Sequence, residues 1–242
     1  MRLEERGERR VWRFDSLPDA FVSTRSCGNL AYHVTPDKRS VDRNRQALFS
    51  SYGLSLERSA WCEQVHGGEI AVATAAGSYL GADALVTDRA GLTLCVLMAD
   101  CVPLVLADLE RGALGVVHAG RLGTMARIAS TTVRVMVDRF GVDPSRLRCA
   151  IGPSIGPEDY EVGPDVTAQL SDRTVLRPIG GGGKALLDLW EANVRDLETA
   201  GVPRANVEIA GVSTARSLED FFSHRAEPDG TGRFATIATL RV

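Results

Sequence analysis

The sequence predicts a single α/β domain, on three observations. Three apolar runs of strand length, residues 92–98, 102–107 and 113–117, follow one another within residues 91–124 and show no helical period. Helical patterns follow at residues 41–52, 125–140 and 188–201, the second with Met125, Ile128, Ala129, Met136 and Phe140 on one stripe. The 242 residues contain no internal repeat, low-complexity tract or clear linker, and a chain of that length buries a substantial core. One domain is therefore expected over residues 11–242, behind a charged N-terminal arm at residues 1–10.

In chain order, the arm MRLEERGERR is of mixed charge and is expected to fray. Residues 11–14 and 20–23 read as short strands about a Leu17-Pro18-Asp19 turn. Residues 24–37 make a polar connection longer than most, and Arg25, Asn29 and His33 on it are candidates for function. Ser40 is the expected cap of the helix over 41–52, which Gly53 closes. Residues 58–64 and 69–73 read as a strand pair with His66 and Gly67-Gly68 in the turn, and 84–87 as a further strand entered from Asp83. The helix over 125–140 ends at Gly141. Residues 148–151 are a strand that runs into the Gly/Pro-rich loop 151–163. A short helix is expected over 164–171 and a flexible loop at 180–183. Asp188 and Glu191 form a capping-box pair for the helix carrying Trp190, Val194 and Leu197. Strands at 207–212 and 234–240 flank a last long loop.

Composition excludes several classes. With 28 basic against 31 acidic residues, the net charge of −3 argues against a dedicated nucleic-acid or membrane-surface protein. Five cysteines without framework spacing read as reduced thiols, hence a cytoplasmic protein, and the charged N-terminus lacks the apolar core of a signal peptide. No apolar run reaches membrane-span length.

Chemistry concentrates at strand ends. Cys101 sits between the first two apolar runs and His118 ends the third. With His66 they offer two imidazoles and a thiolate, the donor set of zinc, and three such ligands leave a fourth position open, as in catalytic sites. The same atoms could instead form a Cys101–His nucleophile pair, or simply be buried polar residues. Asp83 and Asp100 are candidate general acids or bases. Gly152, Gly156 and Gly163 with Arg25, Arg45 or Arg225 could hold an anion. The run Gly180–Lys184 departs from the phosphate-loop pattern and reads as a plain loop. Copper suits imidazole, but a multicopper site needs roughly ten such ligands and the chain has four His. Cys62 reads as a strand residue rather than a fourth ligand.

Taken together, the segments NLAYHV (29–34), DRNR (42–45), WCEQVHG (61–67), GADALVT (81–87), ADCVPLVLAD (99–108), GVVHAG (115–120), IGPSIGPEDYEVG (151–163), FFSHR (221–225) and TGR (231–233) resemble the YfiH family of laccase-domain, or polyphenol-oxidase-like, proteins. The resemblance implies mixed sheets sandwiched by helices in α/β/β/α layers. It implies zinc on His66, Cys101 and His118, and phosphate-dependent cleavage of adenosine-type nucleosides to base and ribose 1-phosphate. It also implies roles in catalysis for Asp100 and Arg45, and in substrate binding for Arg25, Asn44, Arg121, Tyr160 and Arg225. Small-molecule nucleoside and phosphate are then the partners, with no nucleic acid or membrane. Adenosine deamination and amide hydrolysis in peptidoglycan-precursor editing are alternative activities, and a metal-stabilised binding domain is a non-enzymatic one. The usual H-A-G-W-R-G of the family reads H-A-G-R-L-G over residues 118–123, which places Arg121 at the Trp position and Leu122 at the Arg position.

Overall fold

The computed structural model describes residues 1–17, 19–170 and 172–240. Pro18 of the expected turn, Ser171 of the expected helix and the last two residues of the expected domain lie outside them. The described residues form sixteen strands and five α-helices, and no described helix is long and apolar enough to cross a membrane.

The first sheet has seven strands in the order β1 (Arg2–Arg6), β2 (Arg9–Arg13), β3 (Ala20–Ser23), β16 (Phe234–Thr239), β8 (Thr93–Met98), β4 (Ser59–Glu63) and β6 (Gly77–Leu80). The second has six, in the order β15 (Val207–Ile209), β11 (Arg148–Ile151), β9 (Val102–Asp108), β10 (Ala113–Ala119), β7 (Ala84–Thr87) and β5 (Ile70–Val72). Both are mixed: β4 runs parallel to β6 and β8, and β5 to β7, whereas β9 and β10 are antiparallel. A three-stranded sheet joins β12 (Glu161–Val162), β14 (Ala185–Leu187) and β13 (Leu176–Pro178).

Strand alternation explains the layers. Leu94, Val96 and Met98 of β8 face Val105, Ala107 and Val116 of the second sheet in the core between the sheets. Cys95, one residue out of phase, instead joins Leu48 and Phe49 of α1 (Lys38–Ser51) on the outer face. In the second sheet Leu104 and Leu106 face outward, against Ile128 and Val133 of α3 (Ile128–Phe140) and Val194 and Leu197 of α5 (Leu189–Thr199). Both faces of these strands are buried, which is why they read as unbroken apolar runs. The layers are α1, sheet, sheet, then α3 and α5, as the resemblance implies.

Several local expectations are corrected. Residues 2–6 and 9–13 pair as an antiparallel hairpin in place of a frayed arm. Asp37, not Ser40, caps α1: its carboxylate accepts from the Ser40 N–H at 3.0 Å. The helix expected over 125–140 is two, α2 (Arg121–Met125) and α3, broken where Arg127 takes the left-handed φ of 60°. The short helix α4 covers only Pro164–Thr167. The glycine run at 180–183 connects the two strands β13 and β14, which the sequence reading missed, as it missed β6. Finally, β4 and β5 are not a pair, because they belong to different sheets. The Gly67-Gly68 turn carries the chain across from one sheet to the other.

Candidate metal centre and active-site cavity

Two crossings between the sheets build the site. Residues 64–69 carry the chain from β4 in the first sheet to β5 in the second, and residues 99–101 carry it from β8 to β9. Both crossings need a sharp backbone turn at a residue other than glycine. His66 has φ 59° and Asp100 φ 85°, two of three described non-glycine residues with positive φ. Such conformations cost about 1–3 kcal/mol each and gather at functional sites. The crossings deliver His66 and Cys101 to the end of β10, where His118 lies. The donor atoms of His66, Cys101 and His118 all fall within 4.8 Å of one another. The two imidazole rings meet edge to face, with centroids 4.8 Å apart.

Asp83 holds this arrangement from behind. It is fully buried. Its Oδ2 accepts from the Gly67 N–H at 2.7 Å and its Oδ1 from the His66 N–H at 3.0 Å, fixing the crossing turn. The same Oδ1 lies 2.8 Å from His118 Nδ1, and the His118 N–H donates to the Asp83 carbonyl at 2.8 Å. Burial pushes the Asp83 carboxyl up, but His118 and the backbone N–H groups of Gly67 and Val65 outweigh it and hold it below the usual range. Asp83 is therefore an ionised acceptor, His118 Nδ1 carries the proton, and Nε2 is left for a ligand. Carboxylate, histidine and metal form this series in many zinc sites. Asp83 thus orients two ligands, and as a general acid or base it is enclosed away from the cavity.

The donor chemistry fits a metal. Burial pushes the Cys101 thiol up, yet the charge and hydrogen bonding of His118 and the hydrogen bond of His66 bring it down to about 6. Burial pulls the His118 imidazole down, yet Cys101 and Asp83 raise it to about 9. Cys101 and His118 thus favour one another's charged forms, and with the Asp83 carboxylate behind them the group leans to net negative charge, which suits a cation. Gly120 forms the cradle: a Cβ there would lie 3.0 Å from Cys101 Sγ and 3.4 Å from the His66 ring. Two nitrogens and one sulfur suit a single zinc, with one face open to the cavity. Cys62 stays a buried strand residue, its thiol pushed well up by burial.

The three donors open on a cavity of about 1050 Å³. Arg45, Asp100, Arg121, Tyr160 and Arg225 also line it, whereas Arg25 and Asn44 do not. Arg45 is buried, its guanidinium 3.7 Å from the Trp61 ring centroid and 4.5 Å from that of Tyr32, and its Nε donates to the Leu30 carbonyl at 2.9 Å. Asp100 ties three loops together: Oδ1 accepts from Thr214 Oγ1 and Oδ2 from the Arg225 N–H, both at 2.6 Å, and its carbonyl accepts from the Ile155 N–H. Arg25 instead pairs with Glu227 and stacks on Phe222, and Asn44 Nδ2 donates to the Asn29 carbonyl at 2.9 Å. Tyr32, Trp61, Gln64 and Arg233 line the cavity and were missed from sequence. All four lie in segments that carry the family resemblance, and Gln64 stands two residues before His66: its side-chain amide exchanges two hydrogen bonds with the Leu97 backbone, extending the β4–β8 pairing to the crossing.

Fold and donor set together define an α/β/β/α domain in which, among the described residues, one His2Cys group that could hold a metal gathers at the sheet crossings. The chain belongs to the family described as multi-copper polyphenol oxidoreductase laccase, which matches residues 22–241. A purine nucleoside phosphorylase of Deinococcus radiodurans is 40% identical over 211 residues, covering 84% of this chain and 79% of that protein. A protein named adenosine deaminase RL5, from an unknown prokaryotic organism, is 35% identical over 225 residues, covering 86% and 85%. The crystal structure of YlmD from Geobacillus stearothermophilus superposes with a TM-score of 0.92 at 31% identity, covering 99% of this chain and 98% of that one. The multi-copper part of the family description asks for more imidazoles than four His supply.

Proposed function

We propose that this chain is a zinc-dependent purine nucleoside phosphorylase. The observation that carries the reading is the convergence of His66, Cys101 and His118 on a cavity whose wall presents Arg45. The 40% identity to a protein of that name supports it. The reaction breaks the bond between ribose C1′ and the purine nitrogen. A phosphate oxygen attacks C1′, the base leaves with the bonding electron pair and takes up a proton, and ribose 1-phosphate remains. Positive charge develops at the sugar and negative charge on the base, so the site must stabilise both ends.

His66, Cys101 and His118 would hold the zinc, which supplies Lewis acidity to the cavity. Arg45 offers a permanently charged, desolvated guanidinium for phosphate; burial lowers its pKa without neutralising it. Asp100 is the proposed proton carrier to the base. Each of its oxygens has accepted one hydrogen bond and keeps a second lone pair. Arg121, Tyr160 and Arg225 make the facing wall of the substrate site.

Chromatographic analysis of zinc-loaded protein with adenosine, with and without phosphate, tests this. Adenine formed only with phosphate, and lost in His118→Ala, is the expected outcome. Adenine formed equally well without phosphate would contradict it. The relative named as an adenosine deaminase favours one second reading, hydrolytic deamination in the same cavity. Inosine formed regardless of phosphate would establish that reading instead.

A further inference from the structure

Charge is distributed unevenly around the cavity. Four arginines line it, Arg45, Arg121, Arg225 and Arg233, against the two carboxylates of Asp100 and Glu63. Among the described residues, none of the four guanidiniums is paired with a carboxylate. Arg45 and Arg225 donate to the carbonyls of Leu30 and Glu161, Arg233 to those of Thr231 and Gly232, and Arg121 reaches the thioether of Met125 at 3.8 Å and the hydroxyl of Tyr160. Arg25, which does not line the cavity, does have its carboxylate, Glu227. Unpaired guanidiniums on a cavity wall are sites for anions.

These cations fall into separate groups. Arg45 stands on α1, against the first sheet, between Tyr32 and Trp61. Arg121 begins α2, directly after β10 of the second sheet, and Arg225 lies with its guanidinium carbon 4.8 Å from the Tyr160 ring centroid. Arg121, Tyr160 and Arg225 line the same cavity, and Arg121 is a hydrogen-bond partner of the Tyr160 hydroxyl. A phenol and two guanidiniums together present several donors to a tetrahedral oxyanion. Phosphorolysis of a neutral nucleoside brings a single phosphate, which occupies one group and leaves the other without an anion. The cavity, at about 1050 Å³, reaches the upper end of the range for ligand pockets, roughly 300–1,000 Å³, and has room for both.

We propose that Arg121, Tyr160 and Arg225 form a second anion subsite, which takes the sugar phosphate of a nucleoside monophosphate. The proposal rests on the phosphorylase reading for the identity of the nucleoside, and on the unpaired guanidiniums for the phosphate. A second free phosphate carries the same chemistry, and the test separates the two.

Zinc-loaded protein in phosphate-free buffer is titrated calorimetrically with adenosine, with adenosine 5′-monophosphate, and with adenosine after saturation with inorganic phosphate. The wild type is expected to bind the monophosphate at least about tenfold more tightly than adenosine, as charge-assisted hydrogen bonds allow. In Arg121→Met and Arg225→Met, each checked for folding by circular dichroism, that ratio should fall towards one. A ratio near one in the wild type would overturn the subsite, as would a ratio that neither variant changes. Adenosine bound as tightly in saturating phosphate as the monophosphate is in its absence would also overturn it, since free phosphate would then be the occupant. In the two phosphate-free arms binding is read without turnover, and these carry the ratio. A monophosphate preference in a protein that cleaves no adenosine would remove the phosphorylase reading and leave the subsite standing.

Discussion

Gly120 leaves the room that the three donor side chains share. A methyl group there would stand 3.0 Å from Cys101 Sγ and 3.8 Å from the His118 ring, inside the space the three donors share. Gly120→Ala is expected to lose most of its zinc after dialysis, read by elemental analysis, while far-ultraviolet circular dichroism stays native. Wild-type zinc retention in that variant would contradict the cradle. Cys101 supplies the second residue-scale prediction. With His118 and His66 holding its pKa at about 6, the thiol of metal-free protein stays ionised as pH falls from 9 to about 6 and protonates below that. Its alkylation by iodoacetamide should therefore decline through about pH 6, rather than near the ordinary thiol value of about 8.5, with Cys101→Ser as control. A decline near pH 8.5 would contradict it. The thiolate and imidazole donors were legible from residue type and from their place at the ends of apolar runs. Asp83 was read from sequence as a carboxylate ahead of a strand and a candidate general acid or base, not as the partner of His118. Its role lies in bonds to the backbone N–H groups of residues 65–67 and to a ring 35 residues on, which no spacing rule reports.

At the scale of elements, β3, β7 and β11 were read from sequence residue for residue, and the apolar runs at 92–98, 102–107 and 113–117 fall within one or two residues of β8, β9 and β10. The errors fall where one local signal serves two structures. Gly67-Gly68 signals a tight turn whether the chain folds back or crosses to another sheet, and here it crosses. Residues 2–6 look like a solvated arm because β1 is an edge strand with four of its five residues exposed, and edge strands carry charge to discourage further pairing. Arg127 gives no composition signal for its left-handed turn. That turn is held by an ion pair to Asp196, whose other oxygen accepts from the Ser130 N–H at the start of α3. The capping of α5 was legible: Asp188 Oδ1 accepts from the Glu191 N–H at 2.9 Å. Asp188→Ala should cost about 1 kcal/mol in urea denaturation, with the slope unchanged. No change in midpoint would show that the cap carries no weight in the folded domain.

At the scale of the molecule, the α/β class followed from apolar patterning, whereas the four-layer order came only with the family resemblance. Pairing across sheets depends on contacts far apart in the chain, such as β3 with β16, and single-sequence periodicity is silent on these. A metal held by His66, Cys101 and His118 would join the two sheets, with two of its ligands on the crossings and the third on β10. It should therefore stabilise the whole domain. At a thousandfold excess over its dissociation constant a ligand of the folded state adds about 4 kcal/mol, or roughly 10 °C for a chain of this size. Thermal unfolding before and after chelation, with zinc added back, measures this; equal midpoints would place the metal outside the fold's energetics. The central claim is that this cavity transfers the nucleoside's ribose to phosphate. Incubation of the zinc-loaded protein with adenosine and isotopically labelled inorganic phosphate tests it most directly. The expected result is labelled ribose 1-phosphate in equal amount to released adenine, and none with His118→Ala. Adenine accompanied by free ribose and unincorporated label would mean that water is the acceptor, and would contradict the claim.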